Sequence, residues 1–321
     1  MWISGFGLWL PLMVSAALAL TAPAAGRRLP PRTAAWLLTA AAVIAAGAWV
    51  TVLAMVGFTL VGQIPEVAEE GRWSPHVLAA DTPVDRPVAA VCALAVLVCV
   101  GALAVASWRR VRMMVETWRE CRDLPVAGDL MVLDDPVPTA FALPGAPGRV
   151  VVSSGMLRAL SADERRALLA HERAHLRHRH HVFLLVLQLS AAVNPLLRRV
   201  DGAGAFALER WADEEAGAVV ADRRLVARAV ARAALATRSV PAAAMAATGG
   251  PVPQRVRALL APPAPLRRHL ALAFAALMMA CCASLAIAGH YMDGLFDAAA
   301  PAHSTGPAHE ALHRTDLTPR S

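Results

Sequence analysis

Four continuous apolar stretches, residues 2–20, 36–61, 88–106 and 270–288, limit what this chain can fold into. Each approaches or exceeds the ~20 residues with which an α-helix crosses a bilayer core. Inside lipid every backbone N–H and C=O must be satisfied within its own segment, so such stretches are helices. The whole chain agrees: 57% of its 321 residues are apolar and its mean hydropathy is +0.49. Those values lie outside the range of a soluble domain. The first stretch has no basic segment before it and is longer than a signal-peptide core, so it reads as a retained span.

Charge then orients the spans. All 31 basic residues are arginine, and the net charge is +7. Arg27, Arg28 and Arg32 follow the first span, Arg109, Arg110 and Arg112 follow the third, and Arg267 and Arg268 precede the fourth. Between spans two and three, residues 63–86 carry Glu66, Glu69, Glu70, Asp81 and Asp85 against Arg72 and Arg86. Arginine-rich flanks stay on the cytoplasmic side. The expected topology in the plasma membrane has both termini outside and residues 109–268 as one cytoplasmic domain. Residues 1–108 form the three-span membrane region, 269–289 the fourth span, and 290–321 a short, disordered external tail. Residues 182–193 are apolar for too short a run to span, and are expected as buried core or a re-entrant piece. No basic patch is interleaved with aromatics, so nucleic acid is not an expected partner. The five cysteines form neither a disulfide framework nor a cysteine-rich metal site.

The cytoplasmic domain reads as mainly α with a small β part. Residues 126–133, 140–143 and 149–153 have strand character, and Pro144-Gly145-Ala146-Pro147-Gly148 joins the last two as a hairpin. Ser161-Ala162-Asp163-Glu164 is a capping box that opens a long helix. Residues 205–221, 223–237 and 254–260 read as further helices, and 241–253, rich in Ala, Gly and Pro, as a mobile loop.

That capped helix carries His171-Glu172-Arg173-Ala174-His175. Histidines four apart lie on one helix face, so both imidazoles can reach one ion, and the glutamate beside the first can reach a water held there. The pattern points to a zinc peptidase, with His171 and His175 as ligands to one zinc ion and Glu172 as the general base. A surface glutamate paired with neighbouring arginines is the plain alternative for Glu172. A catalytic zinc takes a third protein ligand, and Glu209 is the best candidate. Asp213, one turn on, can accept a hydrogen bond from the far nitrogen of a ligand histidine. Glu214 and Glu215 point elsewhere on that helix. His178, His180 and His181 are expected on a solvated basic face rather than at a second metal. The strand of Val150, Val151 and Val152 could pair with an extended substrate backbone, or be a plain structural hairpin.

Over most of residues 1–290 the chain resembles the BlaR/MecR-type integral-membrane metallopeptidases. The residues that carry this are Ala140-Phe141-Ala142-Leu143-Pro144-Gly145, Val151-Val152-Ser153-Ser154-Gly155-Met156-Leu157, the run from Leu168 to His175, Asn194-Pro195-Leu196, and the Glu209 to Asp213 element. The resemblance implies a gluzincin fold with His171, His175 and Glu209 as ligands and Glu172 as catalyst. It also implies regulated proteolysis of a protein substrate such as a winged-helix repressor. The best-known members carry a penicillin-binding sensor after the last span. Here only residues 290–321 follow, with no serine acylation motif, so direct β-lactam sensing by such a domain is not expected. HtpX-type quality-control proteases share several of these elements and are the near alternative. A non-catalytic membrane receptor that keeps a closed structural zinc is the alternative of another class.

Overall fold

A computed structural model of the chain describes residues 2–82, 84–122, 126–237 and 251–300. Among the described residues, four helices are long and apolar enough to cross a membrane: α1 (Trp2–Arg28), α2 (Pro31–Val61), α5 (Arg86–Cys121) and α12 (Arg268–Ala299). Two short helices, α3 (Pro65–Gly71) and α4 (Pro75–Asp81), fill the acidic connection between α2 and α5. Helix α5 runs past its apolar part without a break and ends at Cys121. Helix α12 also continues to Ala299, which corrects the expectation of a disordered tail from residue 290. Its last turns are held by packing on α4 and by the hydrogen bond from Ser74 N to Ala299 O at 2.7 Å. Residues 301–321, the rest of that tail, and most of the expected loop at 241–253 lie outside the described residues.

The sheet has four strands: β1 (Val126–Ala127), β2 (Leu130–Leu133), β3 (Ala140–Leu143) and β4 (Arg149–Ser153). The predicted strand at 126–133 is broken in two by a turn at Gly128, whose φ of 68° suits glycine. The order is β1-β2-β4-β3, with β2 and β4 parallel and β3 antiparallel to β4. The predicted hairpin therefore forms. Its second strand is central rather than exposed, and the free edge beside the helices belongs to β3.

Helix α6 (Ser154–Ala159) leads into α7 (Ala162–Arg177), which opens on the predicted capping box: Ser161 N donates to Glu164 Oε2 at 2.9 Å and Glu164 N to Ser161 Oγ at 3.4 Å. After Arg179 the chain turns into α8 (His180–Val193). This is the short apolar run of uncertain fate. It packs between α2 and α5, and its far end meets the middle of the long helices: Asn194 Nδ2 donates to Ser15 Oγ at 2.9 Å, and the Cys99 thiol to Val193 O at 3.3 Å. Fourteen residues rise only ~21 Å, too little to cross. A 3₁₀ turn at Pro195–Leu197 reverses the chain, and α9 (Arg198–Val220) climbs back along α1 and α2. Thus α8 and α9 form a helical hairpin packed among the candidate spans. Asn194 serves the turn twice, since its Oδ1 also accepts from Leu196 N at 3.1 Å.

Small residues allow this close packing. Ala34, Ala35, Ala41, Ala42 and Ala45 of α2 are fully buried in one core with Leu187, Leu197, Val200 and Ala207 of the hairpin. A Cβ on Gly26 would stand 3.0 Å from Ala203 O, so α1 and α9 touch backbone to backbone. A separate apolar core joins α7 to α10 (Arg223–Ala236) and α11 (Pro251–Leu260) through Ala167, Ala170, Val226 and Leu259.

Candidate metal centre

The site forms where α7, on the sheet side, faces α9, on the membrane side. His171 and His175 lie one turn apart on α7, with their Nε2 atoms 3.1 Å from each other. Glu209 of α9 approaches both: Oε2 is 3.6 Å from His171 Nε2 and Oε1 is 3.4 Å from His175 Nε2. Ligands ~2.1 Å from a tetrahedral zinc stand ~3.4 Å apart, so the three donors fit that ion. Among the described residues this is the group whose donor atoms converge in this way, all within 4.8 Å of one another. The rival carboxylates are spent elsewhere. Glu214 pairs with Arg223 at 2.6 Å, and Glu215 pairs with Arg177 and lies 3.3 Å from His178 Nε2.

Asp213 takes the expected place, its Oδ1 lying 3.0 Å from His171 Nδ1. It is 2% exposed, and a second partner holds it there: Arg255 of α11 donates to its two oxygens at 2.8 and 2.7 Å and reaches Glu209 Oε2 at 2.7 Å. Sequence reading missed Arg255. The clue was one arginine on the inner face of an otherwise ordinary amphipathic helix.

Burial would depress His171, but Asp213 and Glu209 outweigh it and raise its pKa to about 10. Burial and the charge of His171 lower His175 to about 4. Burial also opposes ionisation of Glu209 and Asp213, yet their hydrogen bonds and the Arg255 charge hold both below the usual carboxylate range. Glu172 goes the other way: burial raises it, against the His171 charge. It is 9% exposed and sits apart from the arginines of its own helix, among them Arg173 and Arg177, which bind Asp129 and Glu215. The surface-pair alternative for Glu172 therefore fails.

Two cavities flank the donors. One, of about 200 Å³, is walled by Val226, Ala229, Val230 and Ala233 of α10 and reaches Glu172 and Arg255. The other, of about 340 Å³, lies along β3 and extends to His181 and Leu184 of α8. Val150, Val151 and Val152, expected as a docking edge, are at most 1% exposed because β4 is paired on both sides. The free edge is β3. Ser153 N donates to Thr139 O, so alternate residues from Thr139 pair with β4, while Ala140 and Ala142 face away from it toward α7. The backbone amide of Ala142 accordingly acts on Glu172, favouring its carboxylate form.

The trailing histidines do not form a solvated face. His180 is 1% exposed, and its Nδ1 lies 2.9 Å from His175 Nδ1. His178 stacks on Trp211 with ring centroids 4.6 Å apart, and His181 lines the second cavity. Local spacing concealed this because the turn at Arg179 folds α8 back beneath α7.

A glutamate between two histidines that could hold a metal, a carboxylate from a facing helix and an open strand edge are the parts of a metallopeptidase-type site. Residues 107–205 match the model of peptidase family M48, whose members are zinc-dependent, and this makes the stretch a metallopeptidase domain. The match includes His171, Glu172 and His175; Glu209, Asp213 and Arg255 lie beyond it. No curated protein and no solved structure matches the chain.

Proposed function

We propose that the protein is an integral-membrane zinc endopeptidase that cleaves protein substrates on the cytoplasmic side. The observation that carries this is Glu172, buried beside the three converging donors and facing the outward amide of Ala142. A zinc ion held by His171, His175 and Glu209 would supply a Lewis acid that polarises the scissile carbonyl. The chain supplies the rest. An extended substrate adds to the β3 edge through the backbone groups of Ala140 and Ala142. Glu172, raised by burial, takes the proton from the attacking water and delivers it to the leaving amine. Asp213 fixes the His171 ring, and Arg255 holds Asp213 and Glu209 in place. Three protein donors leave a fourth position for chemistry, which favours an enzyme over a receptor with a closed structural zinc.

The BlaR/MecR-type reading, with regulated cleavage of a protein such as a repressor, rests on three leading apolar helices and Asn194-Pro195-Leu196. Quality control of membrane proteins is the second reading. It draws support from Val182 and Leu185, exposed on α8 close to the His181 and Leu184 end of the cleft, where a substrate emerging from lipid would arrive. Proteomic comparison of cells carrying the wild type or Glu172→Gln separates them. A soluble regulator that accumulates uncleaved in the variant supports the first, and full-length membrane proteins that accumulate support the second. Identical proteomes would count against a proteolytic role.

A further inference from the structure

We propose that His180 is the positioning residue for the second metal-binding histidine, filling with a neutral imidazole the role that Asp213 fills for the first. The proposal rests on the zinc reading above. His175 Nε2 faces His171 and Glu209, so Nε2 is the atom it offers to the ion. An imidazole that gives one nitrogen to a metal carries its proton on the other. His175 Nδ1–H then points at His180 Nδ1, 2.9 Å away, and His180 accepts.

Three further observations agree. The backbone is bent to deliver this ring: Arg179, which opens α8, has φ 51° and ψ 44°. That left-handed conformation is unfavourable for a non-glycine residue. The ring is also locked in place. It is 1% exposed, with the Trp211 ring centroid 4.8 Å away and the Phe183 ring edge-on at 6.5 Å. Charge favours a neutral acceptor as well. The carboxyl groups of Glu172, Glu209 and Asp213 already crowd the centre beside the guanidinium of Arg255. A carboxylate in place of His180 would leave the loaded, water-poor site with an extra negative charge, which is costly. Being neutral, His180 orients His175 without that penalty.

The test uses the full-length chain in detergent micelles. Zinc affinity is measured by competition with a chromophoric chelator, and ligand geometry by the visible spectrum of the cobalt-loaded protein. In His180→Asn the amide Oδ1 stands where Nδ1 stood and still accepts. In His180→Gln the acceptor lies one bond farther out, and in His180→Phe there is none. Loss of such a partner lowers metal affinity ~10–100-fold. That loss, with a shifted cobalt spectrum, is expected for the Gln and Phe variants, while Asn keeps most of the affinity and the wild-type spectrum. The Asn–Gln contrast decides the matter even where Phe impairs folding. The proposal is overturned if Gln binds zinc as tightly as Asn, or if Asn is as weak as Phe. Neither result touches the endopeptidase reading, which fails instead if the zinc-loaded wild type cleaves nothing.

Discussion

The two helices that meet at the metal centre are held by different forces. Helix α7 belongs to the sheet-bearing module: it is capped at its start, packs on β3, and shares an apolar core with α10 and α11. Removing that apolar surface from water is what stabilises it. Helix α9 rises from a hairpin set among the candidate spans, where lipid tails are as apolar as leucine and burial gives little drive. Small-residue packing and a few buried polar links do the work there instead. Arg210 is the clearest of these. Its Nη1 donates to the carbonyls of Gly26, Arg27 and Leu29 at 2.6, 3.3 and 3.2 Å, closing the end of α1 at the negative pole of its dipole. Arg210 directly follows Glu209, and Trp211 carries Arg32 over its ring at 5.6 Å. One candidate metal donor is thus mounted on the helix packed among the candidate spans, and two on the sheet-bearing module.

The largest effect should come from removing the bond between the modules itself. Glu209→Gln should lower zinc affinity by more than the ~100-fold that an outer partner is worth, with the helical circular-dichroism signal intact. Retained affinity would mean that the α9 half is not a ligand. Next is Arg255→Met, which leaves the buried carboxylate of Asp213 with His171 as its remaining charged partner and should destabilise the α7–α10–α11 module by about 3 kcal/mol in denaturant unfolding. Arg210→Met should cost about 2 kcal/mol of α9 docking, read as increased hydrogen exchange along α9 while α7 keeps its protection. Equal loosening of both helices would break the comparison.

Smaller still is the pH effect. With His171 raised to about 10, the metal-free centre holds a proton at neutral pH that zinc must displace, whereas His175, at about 4, is already neutral. Zinc binding at pH 7 should release close to one proton, and affinity should rise about tenfold per pH unit below pH 10. Calorimetry in buffers of differing ionisation enthalpy reads this. Without metal the sign reverses: the raised His171 pKa stabilises the fold fully below the ordinary histidine range, and that contribution fades as pH climbs towards 10. Smallest is Asn194→Ala, which should cost about 1 kcal/mol by losing the contact with Ser15 and the turn it caps.

The sequence revealed the parts of the site that repeat at helical spacing and hid those that depend on chain reversal. His171, Glu172 and His175 lie within one turn, and Asp213 lies one turn beyond Glu209, so periodicity exposed them. Arg255 and His180 reach the centre through a distant helix and a left-handed turn, which spacing does not encode. The spans were legible as apolar runs because lipid tolerates nothing else. The packing of α8 between α2 and α5 was not, since a short apolar run does not say which neighbours it meets. The docking strand was misplaced because a valine-rich run reads alike at the edge and the centre of a sheet. The parallel β2–β4 pairing that covers β4 is a long-range contact.

The central claim is that α7 and α9 together hold one zinc beside a working base. The direct measurement is zinc content and cleavage of an unfolded protein by purified full-length wild type and Glu172→Gln, side by side. One zinc per chain is expected in both, with cleavage by the wild type and a ~10²–10⁴-fold loss or more in the variant. Undiminished cleavage by the zinc-loaded variant would contradict the claim.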